Sequence, residues 1–150
     1  MNQENSVKNL QLLSRQIPEK IPYLKMLVLF GSRARGDIHK KSDWDFAVFY
    51  DKQMRKQCCE NKPFSYFEVP SLLQDLFEIN APIDVVDLNN CSARLADRVA
   101  TDGRLIYEIE GGLFEKFKHN FLLSDEEKKA IREEFKQEID NFLKDWGLIA

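Results

Sequence analysis

The sequence predicts an α/β fold of the α+β kind: a small mixed sheet flanked by helices, with a long C-terminal amphipathic helix. Three observations carry that reading. Two hydrophobic runs of strand character, Tyr23–Phe30 and Phe46–Tyr50, bracket a Gly31-Ser32 turn and a polar connection. A third run, Ile83-Asp84-Val85-Val86-Asp87-Leu88, follows Pro82 and is rich in β-branched residues. After Gly111-Gly112 the pattern turns helical, with Ile131, Phe135, Ile139, Phe142 and Trp146 at steps of four, four, three and four. The expected organisation is therefore a sheet-bearing domain over residues 1–110 and a helical extension over 111–150.

In chain order, Val7, Leu10, Leu13 and Ile17 recur at helical spacing before Pro18 and Pro22, which predicts an amphipathic helix that ends in a loop and covers one sheet face. Lys25–Phe30 reads as a buried strand closed by Gly31-Ser32. Asp51–Asn61 is polar and Lys-rich and reads as a loop; Phe64–Ile79 reads as an aromatic-rich helical segment interrupted by Pro70. A short helix from Ser92 to about Thr101 should end at Asp102-Gly103, ahead of a short strand over Arg104–Glu108. Ser124-Asp125-Glu126-Glu127 is a capping-box pattern opening the last helix. Its apolar stripe needs cover, from the domain's own sheet, from Leu113, Phe114 and Phe117, or from a partner; the acidic side with Glu133, Glu134 and Glu138 is solvated and would suit a basic partner surface.

The most informative spacing is Gly31-Ser32, ten residues, then Asp43-Trp44-Asp45. A glycine turn between strand and helix presents N–H groups to a phosphate. Asp43 and Asp45 are two apart on an extended run, so both carboxylates leave one face and can hold a divalent cation beside that turn. Arg33 and Arg35 open the intervening helix and are candidate phosphate ligands; Ser42 ends the loop as a cap. Two-metal chemistry asks for a third acid. Asp84 and Asp87, three apart, face opposite sides of a sheet, and Asp84 is the choice because Asp87 adjoins the Asn89-Asn90 turn. The residues themselves thus point to a nucleoside triphosphate, Mg2+ and an attacking hydroxyl.

Composition narrows the class. With 150 residues and 43% hydrophobic content the chain can bury a core, and one domain is the default. A net charge of −3 disfavours a stable nonspecific nucleic-acid surface and a polymerase on long templates. Cys58, Cys59 and Cys91 are odd in number and lack zinc-ligand spacing, which suggests reduced thiols. There is no long apolar run, and Met1–Asn5 lacks the features of a signal peptide, so a cytoplasmic protein without membrane contact is expected. A ribonuclease built on Arg33 and His39 is discarded, since that pair lies between strands; His119 reads as a surface residue.

Taken together, Gly31-Ser32-Arg33-Ala34-Arg35-Gly36-Asp37, Ser42-Asp43-Trp44-Asp45-Phe46-Ala47-Val48 and Ile83-Asp84-Val85-Val86-Asp87-Leu88 resemble the polymerase-β-type nucleotidyltransferase superfamily. The short length resembles its minimal nucleotidyltransferases, the MNT antitoxins of HEPN/MNT toxin-antitoxin pairs. The resemblance implies a polymerase-β-like fold, Ser32 on the triphosphate, Asp43 and Asp45 on Mg2+, and Asp84 completing the acid triad. It further implies transfer of AMP from ATP to a tyrosine hydroxyl of a HEPN ribonuclease toxin, in a hetero-oligomer with that toxin. Trp44 departs from the aliphatic residue usual between the acids, and its side chain should point away from them. Two rival readings are a catalytically silent antitoxin that inhibits by binding and a small-molecule nucleotidyltransferase of the aminoglycoside-modifying kind. The second needs added recognition structure that 40 C-terminal residues supply poorly.

Overall fold

Leu24–Phe30 forms strand β1, and six of its seven residues are buried, as its unbroken apolar run requires. It lies inside a four-stranded sheet of order β3-β2-β1-β4, in which β2 is Trp44–Tyr50, β3 is Ile83–Asp87 and β4 is Arg104–Glu108. β1 pairs antiparallel with β2 and with β4, while β2 and β3 run parallel, so the sheet is mixed. The computed structural model describes residues 3–36, 43–60 and 68–148. The expectations placed on Asp37, His39, Ser42 and Phe64 lie outside the described residues.

Helices cover both faces. On one, α1 (Gln3–Leu13), α2 (Ile17–Lys20) and α5 (Glu68–Phe77) bury Leu10, Ile17, Leu73 and Phe77 against Leu27, Leu29, Phe46 and Val48. On the other, α6 (Ala93–Asp102) and α7 (Leu113–Phe121) bury Ala96, Val99, Ala100, Phe114 and Phe117 against Met26, Val28, Phe30 and Ala47. The alternation of strand side chains divides the sheet residues between these two cores.

Three expectations are corrected. The first helix does not run to Ile17: it ends at Leu13, a 3-10 turn follows over Ser14–Gln16, and Pro18 sits in the first turn of α2, where its missing N–H costs nothing. Asp51–Asn61 is not a loop, since Lys52–Cys59 forms α4, capped by the Asp51 carboxylate accepting from the Met54 N–H at 3.0 Å. Pro70 does not interrupt its helix but lies in the first turn of α5.

The later elements fall where the pattern puts them. Ser92 caps α6 through the Leu95 N–H at 3.1 Å, and β4 spans Arg104–Glu108. Helix α8 (Asp125–Asp145) opens with both halves of the Ser124/Glu127 capping box formed. None of its residues is buried, and Phe135, Ile139, Phe142 and Trp146 stand exposed on its apolar side. Among the described residues no helix is long and apolar enough to cross a membrane.

Candidate active site

The site is assembled where β1 ends and β2 and β3 begin. Gly31 closes β1 at φ 77°, ψ −158°, a backbone region essentially reserved for glycine. A Cβ there would also collide with the Asp45 carboxylate, whose Cγ it would approach to 3.2 Å. Gly31 is thus required twice, by its own backbone and by its neighbour. Ser32–Arg35 then makes a single helical turn, α3, with the Ala34 and Arg35 N–H groups both donating to the Gly31 carbonyl at 3.1 Å. Gly36, at φ 90°, ends it. The N–H of Ser32 at the head of so short a turn is not used by the helix's own ladder.

Asp43 stands exposed immediately before β2, and Asp45 is half-buried one strand residue after Trp44. Phe30 pairs with Asp45 across β1 and β2, which places the second acid beside the Gly31 turn. The parallel partner of Asp45 on β3 is Asp84, so the two carboxylate-bearing residues are in register on neighbouring strands. The start of this pair is tied by the Trp44 N–H donating to the Pro82 carbonyl at 3.5 Å. Trp44 itself belongs to the opposite face, where its ring lies parallel to that of Phe46 at 6.2 Å within the α1/α5 core. The expected separation of Trp44 from the acids is what the strand alternation delivers.

Charge crowding marks the cluster. Partial burial first, and then the negative charges of Asp84 and Asp43, hold the Asp45 carboxyl above the usual aspartate range, while Arg98 and Arg35 act in the opposite sense. The acids share one end of one sheet face, yet among the described residues no three His, Cys, Asp or Glu side chains converge closely enough to enclose an ion on their own. A cation there would need oxygen ligands from elsewhere, such as phosphates.

The two arginines of α3 part company. Arg35 donates to the Asp102 carboxylate at 3.1 Å, joining α3 to the end of α6 on the acid-bearing side of the sheet. The Arg33 guanidinium lies over the Trp44 ring, 4.1 Å from its centroid, on the opposite side. Residues two apart on a helix differ by roughly 200° in direction, so the two guanidinium groups leave α3 on different sides. Arg98, on α6, is a cation near Asp45 that sequence reasoning missed, because only the crossing of α6 over the sheet brings it there. Asp87 is structural as expected: it accepts from the Asn89 N–H at 2.8 Å and pairs with Arg55 at 3.5 Å.

Comparison with known proteins gives three concordant findings. The family model described as polymerase beta, nucleotidyltransferase, matches residues 15–111. The protein adenylyltransferase MntA of Aphanizomenon flos-aquae is 46% identical over 144 residues, covering 95% of this chain and 96% of that protein. Among solved structures, a toxin-antitoxin with AMP-PNP aligns at a TM-score of 0.60 and 23% identity, over 91% of this chain and 98% of its own. A tri-AMPylated Shewanella oneidensis HEPN toxin in complex with MNT antitoxin gives 0.56 and 21%, over 94% and 98%. At such identities these two structures speak to the fold, and the polymerase-β-like architecture is shared almost end to end.

Proposed function

This chain belongs to the polymerase β nucleotidyltransferase family and is akin throughout its length to an MntA protein adenylyltransferase, and we propose that it is an antitoxin that transfers AMP from ATP to a hydroxyl, a tyrosine's, on a partner HEPN toxin. The observation that carries the catalytic reading is the register of Asp45 with Asp84 beside a glycine shaped around the Asp45 carboxylate. A module that worked by occlusion alone would have no use for that crowding, which costs stability. The tri-AMPylated state of the toxin in the Shewanella complex supports addition of more than one AMP to an acceptor.

The donor set fits Mg2+. Asp43, Asp45 and Asp84 offer only hard oxygen ligands, and the carboxyl held above its usual range is what a divalent cation would relieve. Asp43 and Asp45 would hold the ion, with Asp84 completing the set. Bound there, Mg2+ supplies the charge that steadies the triphosphate and makes an attacking hydroxyl easier to deprotonate.

The chain's own groups do the rest. The Gly31-Ser32 turn receives the triphosphate, with the Ser32 hydroxyl and N–H as donors. Asp84, exposed at the edge of the cluster, takes the proton of the acceptor hydroxyl. The hydroxyl oxygen then bonds to the α-phosphorus as the bond to pyrophosphate breaks. Arg35, beside the turn and already oriented by Asp102, faces the negative charge that gathers on the departing pyrophosphate. Arg33 serves differently: its stack on Trp44 fixes α3 against β2 and so sets the distance from turn to acids.

The test is intact mass spectrometry of the HEPN partner after incubation with this protein, ATP and Mg2+. Gain of one or more AMP masses, lost when Asp43→Asn and Asp45→Asn are combined, is the expected result. An unmodified partner that is nevertheless silenced equally by both proteins would establish inhibition by binding instead.

A further inference from the structure

Helix α6 lies across the sheet face that carries Asp45, burying Ala96, Val99 and Ala100 and leaving Arg94 and Arg98 exposed on its outer side. A cavity of about 450 Å3 opens along that side, between Arg94, Arg98 and Asp102 of α6 and Lys128 of α8. It adjoins a second of about 200 Å3 that shares Arg94, Asp97 and Lys128 and adds Arg132. The larger one falls within the roughly 300–1,000 Å3 typical of small-molecule sites. At one end its lining includes Asp102, the carboxylate that Arg35 of α3 engages, and Arg98, the cation near Asp45.

The groove is basic in a chain whose net charge is −3. Each of its two acids already has partners. Asp97 accepts from the Leu123 N–H at 2.8 Å and pairs with Lys128 at 3.7 Å, and Asp102 is held by Arg35 at 3.1 Å. Arg94 and Arg132 therefore give the groove surplus positive charge, and a guanidinium fork is the side chain best matched to phosphate oxygens. The donor triphosphate already has the Gly31-Ser32 turn and the carboxylates. An anion in the groove would be a second one, held between α6 and the base of α8.

Resting on the function proposed above, we infer that this groove is an acceptor subsite: it holds the phosphate of an AMP unit already attached to the partner, so that a ribose hydroxyl of that unit, giving its proton to Asp84, bonds to the α-phosphorus of the next ATP as the bond to pyrophosphate breaks. An unmodified tyrosine brings no phosphate and makes little use of Arg94 and Arg132; an adenylylated one does. The groove thereby favours continuation over the first transfer.

The probe is a tyrosine peptide of the partner in two forms, unmodified and O-adenylylated, with the donor site saturated by Mg2+ and a non-hydrolysable ATP analogue. The natural chain should bind the adenylylated form at least tenfold more tightly, a preference that weakens with added salt. Arg94→Gln combined with Arg132→Gln, two exposed positions outside the carboxylate cluster, should remove most of that preference while leaving affinity for the ATP analogue within twofold. Equal binding of the two peptides by the natural chain would overturn the inference. So would displacement of the ATP analogue by the adenylylated peptide, which would give the anion to the donor site. AMP transfer by the natural chain, followed alongside, keeps the two claims apart: transfer without preference removes the groove alone, and preference without transfer removes the catalytic reading alone.

Discussion

The sheet end that carries Gly31, Asp43, Asp45 and Asp84 and the long helix α8 are built on opposite terms. At the sheet end strand register sets Asp45 beside Asp84 on the neighbouring strand, and what is crowded together is negative charge, with the Asp45 carboxylate abutting the Gly31 backbone. Helix α8 has an orderly start at its capping box but no buried residue, and what it leaves in the open is apolar surface, with Phe142 and Trp146 ringed together at 5.8 Å and both exposed. Neither region is at rest in the isolated chain. One holds negative charge that Arg98 and Arg35 offset only in part and the other leaves apolar side chains exposed, and each deficit is of a kind that something outside the chain supplies.

The sharpest way to break this contrast is to remove the charge. Combining Asp43→Asn with Asp45→Asn should lower AMP transfer about 1,000-fold or more. Thermal unfolding of the same variant should occur no lower than in the natural chain, because the carboxylates repel one another and do not brace the fold. A drop of many degrees would mean that the acids are structural. Gly31→Ala comes next: the positive φ and the collision with Asp45 should cost about 1–3 kcal/mol in denaturant unfolding. Displacement of the turn should cost at least about 100-fold in transfer rate.

A pH series sharpens the electrostatic half. The Asp45 carboxyl is raised in the folded state, so the folded protein holds this proton at pH values where the unfolded chain has released it. Its contribution to stability is present below the usual aspartate range and is lost as pH rises through the raised value. Bound Mg2+ would draw the carboxyl back down, so the raised value is read in the metal-free chain, from the pH dependence of thermal unfolding. Changing Asp84 to Asn should move that loss of stability to lower pH in the metal-free chain, since one repelling charge is gone. The smallest effect belongs to α8. Phe142→Ser with Trp146→Ser should alter the unfolding free energy of the isolated chain by no more than about 0.5 kcal/mol. Leu73→Ala, fully buried in the α5 core, should cost about 2–5 kcal/mol.

What the sequence revealed follows the same divide. β1, β2, β3, α6, β4 and the cap of α8 are set by local pattern, and strand alternation brings Asp84 into register with Asp45 while Asp87 serves the Asn89 turn, whose side chain bridges the Tyr50 backbone by 2.8 and 3.0 Å bonds. Helix α4 was illegible because Lys52–Cys59 has almost no apolar stripe; an Asp51 cap and the stacking of Arg55 on Tyr50, 4.0 Å from the ring centroid, hold it instead. Arg98 was illegible for a different reason, since its closeness to Asp45 depends on two elements more than fifty residues apart. Arg33 and Arg35 show what a local motif leaves open: the run Arg33-Ala34-Arg35 reads as a pair of cations, and only the folded chain shows one over Trp44 and the other on Asp102. The nature of the acceptor was never in the pattern of residues at all; it comes from kinship.

The most direct measurement is the change in unfolding temperature on adding Mg2+ with a non-hydrolysable ATP analogue, in the natural chain and in the Asp43→Asn, Asp45→Asn variant. At about 100 times the dissociation constant, binding to the folded state alone contributes about 2.7 kcal/mol, a shift of several degrees. The natural chain should show that shift only when metal and nucleotide are both present, and the variant should show almost none. Equal stabilisation of both proteins would contradict the assignment of the crowded carboxylates as the metal and triphosphate site.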